Sequence, residues 1–132
     1  GKRADATRAT VHDAAAAARH VTGKKVGTLA FTVPAPEFTL AAGVGLAQGC
    51  QGPGVRKTTP ARFAPDRLVL VGGDEAALPR VRAEANALWL ARELVNAPAS
   101  DLYPETFAAV AADSSATPST RAARRSGWSA RG

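Results

Sequence analysis

The segment "RLVLVGGDEAALPRVRAEANALWLARELVN", residues 67–96, decides the fold class because a strand pattern passes directly into a helix pattern. Residues 67–73 form a short, continuous apolar run that ends in two glycines, as is typical of a strand buried on both faces of a parallel sheet. From residue 74 onward, apolar side chains recur at spacings of three and four, which predicts a single helix over 74–96. That stripe consists of Leu78, Val81, Ala85, Leu88, Ala91 and Val95.

Both ends of this helix carry boundary signals. Asp74 is placed to cap its start, and Pro79 is tolerated because it lies within the first turns. Asn96 is predicted to end the helix, since asparagine tolerates left-handed backbone geometry at a helix terminus.

The upstream sequence continues an alternation of helix and strand. Residues 5–21 are rich in alanine, the best helix former, and predict a helix whose apolar face contains Ala14, Ala17, Ala18 and Val21. Residues 25–33 alternate and predict a strand. Residues 37–49 predict a helix with small residues on one face, and residues 50–66, rich in proline and glycine, predict a loop. Alternating helices and strands indicate an α/β fold.

The chain beyond Asn96 changes in character. Pro98 lies in a turn, and a second helix is predicted over 104–112 with Pro104 at its first position. Residues 113–132 contain almost no Leu, Ile, Val or Phe and are expected to form a disordered basic tail. Their Arg, Ala, Ser, Gly and Trp composition is also what a GC-rich gene gives when it is read out of frame, and the codon bias of the gene would test that hypothesis.

Composition limits the class of protein. A length of 132 residues suits one domain with a modest core. Half of the net charge of +6 lies in the tail, and elsewhere basic residues are interspersed with acids, so neither a nucleic acid nor a membrane is an expected partner. The single Cys50 excludes an intrachain disulfide and a Cys-rich zinc module. Without a signal-peptide pattern or a long apolar stretch, a cytoplasmic location is expected.

The segment "ARELVNAPASDLYPETFAAVAA", residues 91–112, resembles the junction segment of leucyl aminopeptidases, the cytosol aminopeptidases with a two-metal site. In that family a helix ends in a motif like Leu-Val-Asn-x-Pro, and a turn then leads to Pro-Glu and a second helix. The matching residues are Leu94, Val95, Asn96, Pro98, Pro104 and Glu105. The Ala-rich segment 1–21 and the strand pattern at residue 67 occur in the same order as in the family, so the resemblance extends over roughly residues 1 to 112.

The resemblance implies a domain organisation. Residues 1–73 would be part of the amino-terminal, macro-like α/β domain. Residues 74–112 would be the linker helix and the start of the catalytic-domain junction, with Asn96 capping the helix and the two prolines stiffening its exit. Residues 113–132 would be the tail.

The resemblance also implies a function. Leucyl aminopeptidases remove amino-terminal residues from peptides, use two divalent metal ions (Mn or Zn), and are commonly hexameric. Their metal ligands lie beyond the junction, partly in an Asn-Thr-Asp-Ala-Glu-Gly-Arg motif that this sequence lacks. After Asn96 the only acids are Asp101, Glu105 and Asp113, and no lysine follows Lys57. Two hard cations need several converging oxygens, so we assign no catalytic and no metal-binding residue and expect the chain alone to be inactive.

Other motifs in the chain predict little chemistry. His12 and His20 would lie about 12 Å apart along one helix, whereas metal-binding histidine pairs favour a spacing of four residues. The glycines of 43–49 miss the dinucleotide-binding spacing and favour close helix packing. The arginines around Trp128 would suit nucleic acid, although a solvated tail is the simpler interpretation. An alternative function therefore stays open, a non-catalytic α/β binding module for a nucleotide-like ligand or nucleic acid.

Overall fold

A computed structural model of the protein describes residues 2–51, 61–98, 100–116 and 127–131. Their helices and strands follow the chain in the order α1 (Lys2–Val21), β1 (Thr28–Thr32), α2 (Thr39–Cys50), β2 (Arg67–Val71), α3 (Leu78–Val95), α4 (Pro104–Ala116) and β3 (Gly127–Arg131). Single 3-10 turns at Pro36–Phe38 and Glu75–Ala77 precede α2 and α3. The chain is thus mostly helical with a small parallel sheet, which is compatible with the α/β class expected from the sequence.

The sheet has the strand order β1-β2-β3 and is parallel throughout. Thr28 lies opposite Arg67 at one end of the β1–β2 pair, and Thr32 lies opposite Val71 at the other. Parallel neighbours cannot be joined by a hairpin, so the chain must cross from one end of the sheet to the other between them. Helix α2 makes that crossing between β1 and β2.

Helix α2 is the centre of the molecule, because it packs between α1 and α3 and against β2. Its glycines allow the close approach. A Cβ atom on Gly45 would collide with the carbonyl oxygen of Val11, and one on Gly49 would collide with that of Ala15. A Cβ atom on Gly43 would collide with the side chain of Val81 on α3. These contacts confirm that the glycines of 43–49 serve helix packing.

The core lies between these helices and one face of the sheet. Leu29, Leu68 and Leu70 are buried on that face. Their partners from the helices include Ala14, Ala18, Ala42, Leu46, Ala47, Val81 and Ala85. The alternate residues of β1, Thr28 and Ala30 among them, are exposed on the opposite face.

The apolar stripe expected along α3 is buried only in its first half. Val81 and Ala85 are fully buried, whereas Val95 is 85% exposed. The reason is the shorter neighbouring helix. The guanidinium of Arg92 lies at the carboxyl end of α2, where its Nη1 donates to the carbonyl oxygens of Gln48 at 2.9 Å and Gln51 at 3.0 Å. The part of α3 beyond Arg92 therefore extends past the end of α2, and its side chains lose that cover.

The helix starts also differ from the sequence prediction. Asp74 does act as a cap, and its Oδ1 accepts from the backbone nitrogen of Ala76 at 3.0 Å, but it caps the 3-10 turn that precedes α3. Helix α1 begins before residue 5, so Asp5 lies in its first turn and pairs with Arg8 at 2.8 Å.

Two described segments of the tail expected over 113–132 are assigned regular structure. Residues 113–116 continue α4, because the alanine-rich helix extends beyond the expected end at residue 112. Residues 127–131 form β3, because backbone hydrogen bonding to the second edge of β2 does not require apolar side chains. Residues 117–126 and 132 of that tail, and 52–60 of the expected loop, lie outside the described residues.

None of the helices in the described part of the chain combines the length and the apolar character needed to cross a bilayer.

Candidate functional site

The junction between α3 and α4 begins at Asn96, as the sequence predicts. Both the backbone nitrogen of Asn96 (3.1 Å) and its side-chain Nδ2 (2.7 Å) donate to the carbonyl oxygen of Arg92. The expected left-handed geometry is wrong, since Asn96 has φ −92° and ψ 0°. Asn96 therefore terminates α3, and its side-chain amide adds a second hydrogen bond to a carbonyl group in the last turn.

A short turn then leads into α4. The carbonyl oxygen of Pro98 accepts from the backbone nitrogens of Asp101 at 2.9 Å and Leu102 at 3.1 Å. Tyr103 donates its backbone N–H to Oγ1 of Thr106 at 2.9 Å, an arrangement that satisfies a donor at the helix start. Pro104 is the first residue of α4, which confirms the predicted position.

The junction presents apolar surface. Val95 is 85% exposed, and Tyr103 and Phe107 are each 50% exposed. Four other residues of the junction motif are exposed as well: Asn96, Pro98, Pro104 and Glu105. Leu94 is half-buried. The motif thus shapes the chain, and it does not gather reactive groups.

The described part of the chain contains no group of three or more His, Cys, Asp or Glu residues placed to hold a metal ion. Asp101 and Glu105 are both exposed. His12 Nδ1 lies 3.6 Å from the carboxylate of Asp13, and both side chains are well exposed on α1. His20 is also exposed on that helix.

Cys50 is a structural thiol at the end of α2. It is only 2% exposed, and burial raises its pKa from 9.0 to about 12. The thiolate is the nucleophilic and metal-binding form of cysteine, and at neutral pH this side chain stays protonated. Cys50 therefore acts as a packing residue of the core.

An open cleft of about 490 Å³ lies beside the amino ends of β1 and β2. Its wall includes Lys25, Arg62, Phe63 and Asp66. The ammonium nitrogen of Lys25 lies 5.8 Å from the centroid of the Phe63 ring, and the Arg62 guanidinium donates to the carbonyl oxygen of Arg19 at the end of α1. A ring and two cations around a cleft can bind a flat anionic ligand.

No motif in the sequence indicates this cleft. Lys25 precedes β1, whereas Arg62 and Phe63 belong to the connection before β2. The register of the sheet places those two loops together. A hydrogen bond of 2.8 Å from the backbone nitrogen of Phe63 to the carbonyl oxygen of Thr22 joins them. No local spacing rule relates residues so far apart in the chain.

Comparisons with protein-family models, with curated proteins and with solved structures found no match to this chain.

Proposed function

We propose that this chain is part of a leucyl-aminopeptidase-like metallopeptidase, an enzyme that removes amino-terminal residues from peptides. In this proposal residues 1–73 are a partial macro-like support domain, and residues 74–112 are the linker helix and the start of the catalytic-domain junction. The complete enzyme would be a cytoplasmic hexamer that uses two Mn or Zn ions.

The observation that carries the proposal is the junction. A long helix ends at an Asn96 that caps it, a turn held by the Pro98 carbonyl follows, and Pro104 starts the next helix. Val95, Tyr103 and Phe107 are exposed around this turn, which suits a surface that a following domain covers. The proposal is supported because helix, cap, turn and second helix follow one another in the same order as in the leucyl aminopeptidase junction.

The described residues do not fit a two-metal centre. Such a centre needs several carboxylates converging on the same point. Asp101 and Glu105, two acids of the junction segment, are exposed and belong to no candidate metal cluster among the described residues. The proposal therefore assigns the chemistry to residues beyond the junction of a complete enzyme, and this chain would contribute support and shape.

The gene sequence tests the proposal. The DNA downstream of the codons for this chain is expected to encode, in some frame, an Asn-Thr-Asp-Ala-Glu-Gly-Arg-like motif within several hundred bases. A chain extended through that motif should hydrolyse leucine p-nitroanilide with Mn²⁺, and replacement of the motif's Asp by Asn should abolish turnover. The absence of such a coding sequence in all frames would rule out the proposal.

A second candidate function is favoured by the cleft beside Phe63. An α/β module that binds a nucleotide-like ligand would stack the base on the ring and place phosphate near Lys25. The carboxylate of Asp66 and the carbonyl groups at the end of α1 oppose an anion there. For this reason the peptidase proposal is preferred.

Titration of the chain with ADP at low and high salt tests this alternative. Phosphate contacts make affinity fall with rising salt. Binding that is lost in Lys25→Ala, but not in the control Lys2→Ala on α1, would favour the binding module. No binding in the millimolar range would exclude it.

A further inference from the structure

Strand β1 lies at the edge of the described sheet, and two backbone hydrogen bonds show which of its residues face β2. The nitrogen of Arg67 donates to the carbonyl oxygen of Gly27 at 3.0 Å, and the nitrogen of Val33 donates to that of Val71 at 2.9 Å. Successive residues of a strand direct their backbone groups to opposite sides. The odd-numbered residues of β1 therefore bond to β2, and Thr28, Ala30 and Thr32 direct their N–H and C=O groups away from it.

These outward groups have no strand partner among the described residues, because β1 is the first strand of the sheet order. Thr28, Ala30 and Thr32 are all exposed. Edge strands are usually protected by a charge, a proline or a bulge. The sequence "TLAFT" of β1 contains neither a charge nor a proline, and its pairing with β2 is continuous from Thr28 to Thr32.

We propose that the β1 edge pairs with β1 of a second copy of this chain in antiparallel orientation, so that two sheets join into one across a twofold axis at Ala30. This inference does not rest on the proposed enzymatic function; if residues 1–73 belong to a larger domain, an upstream strand of that domain would compete with the second copy for the same edge.

The strand is self-complementary in this register. Hydrogen-bonded pairs in an antiparallel ladder join residues whose backbone groups point toward each other. With Ala30 opposite its own copy, Thr28 lies opposite Thr32 of the second copy, and all three outward-pointing residues are paired. On the core face the same register places the buried Leu29 opposite the half-buried Phe31 of the second copy, an apolar pair of the kind that stabilises sheets.

Charge favours the antiparallel orientation over the parallel one. The exposed Lys24 precedes β1, and the exposed Glu37 follows its carboxyl end. An antiparallel copy brings the basic end of one strand toward the acidic end of the other. A parallel copy would place Lys24 near its own equivalent. Because the strand has only five residues, the contact is smaller than a standard interface, and a weak, concentration-dependent dimer is expected.

Sedimentation equilibrium of the full chain over a concentration series measures the dimer dissociation constant. In Thr28→Lys/Thr32→Lys, like charges face each other at both ends of the paired strands, and the dissociation constant should rise about tenfold or more. In Thr28→Lys/Thr32→Glu, the same two positions change, but opposite charges face each other, so the constant should stay within about twofold of the unsubstituted chain. Neither variant removes a bond between β1 and β2, and circular dichroism checks the fold.

Oxidative cross-linking tests the register separately. Ala30→Cys brings two thiols together on the twofold axis, at a Cα separation that a disulfide can span, whereas Thr32→Cys faces a threonine. Ala30→Cys should form a disulfide-linked dimer at least about tenfold faster than Thr32→Cys. The native Cys50 is buried and stays out of the reaction. A chain that is monomeric at every concentration, a dimer affected equally by the two double variants, or an edge found filled by another peptide would overturn the proposal.

Discussion

The indole Nε1 of Trp89 donates a hydrogen bond of 3.0 Å to the backbone carbonyl oxygen of Ala47. Ala47 lies in the last turn of α2, where carbonyl groups have no partner within the helix. Helix α2 has no basic residue in its own last turn. Helix α3 supplies the missing donors instead, Trp89 for one carbonyl and Arg92 for two others.

Replacing Trp89 by Phe tests this bond. The substitution keeps an aromatic ring in the site and removes the donor, so it should lower the free energy of unfolding by about 1 kcal/mol. Urea unfolding followed by far-UV circular dichroism measures the change. As a control, Phe107→Leu alters a half-exposed aromatic residue of α4 and should shift stability by no more than about 0.5 kcal/mol. Equal effects of both substitutions would contradict the capping role of Trp89.

Arg92 should matter more than an ordinary surface arginine. Arg92→Met removes a charged donor from the carbonyl groups of Gln48 in α2 and Gln51 just after it, and should cost about 1.5–3 kcal/mol. Arg80→Met is the matched control, because Arg80 forms an exposed ion pair with Glu84 at 2.9 Å, and its loss should cost less than about 0.5 kcal/mol. If the two variants unfold at the same urea concentration, the carbonyl contacts add nothing to stability.

The packing of α1 on α2 depends on Gly45. An alanine there would drive its Cβ into the Val11 carbonyl oxygen and Cβ of Ala14, and the resulting overpacking should cost about 1–3 kcal/mol or more. Gly23 has open space around the same position and a negative φ, so Gly23→Ala should be neutral within about 0.5 kcal/mol. Thermal melts of both variants provide the comparison, and a stable Gly45→Ala chain would show that α1 and α2 are not packed this closely.

Stability should fall at high pH because of Cys50. Burial raises the pKa of this thiol from 9.0 to about 12, so the unfolded chain loses the proton at a lower pH than the folded chain does. The stabilisation that comes from the shifted pKa of Cys50 is fully present below pH 9. Between pH 9 and 12 the free energy of unfolding should fall by about 1.4 kcal/mol per pH unit. Cys50→Ala removes this part of the slope while other groups titrate as before. Identical slopes for the two chains would contradict the shifted thiol.

The isolated chain should show no peptidase activity. With leucine p-nitroanilide and excess Mn²⁺ or Zn²⁺, turnover should not exceed that of the metal alone, because the described acids do not converge. An active leucyl aminopeptidase in the same buffer is the positive control. Metal-dependent turnover that disappears when Asp101 or Glu105 is replaced would reveal an active site in this chain and overturn the proposed division of roles.

Local patterns predicted most of the elements but not their surroundings. The strand at residue 67 and the helices around 14, 42, 85 and 107 all occur, because apolar periodicity and the prolines act over a few residues. The junction followed from the same kind of signal, since Asn96 and Pro104 act on their own helix ends. The sequence could not indicate the cleft at Phe63, whose walls come from two loops brought together only by strand pairing.

The sequence by itself determined where most of the helices and strands lie and that α2 is built for close packing. Those properties depend on residue type and short spacing. Only the tertiary structure decided that Val95 is exposed while Val81 is buried on the same helical stripe, because burial depends on where the neighbouring helix ends. It also decided which side of β1 remains open, because the direction of its backbone groups is set by the register with β2.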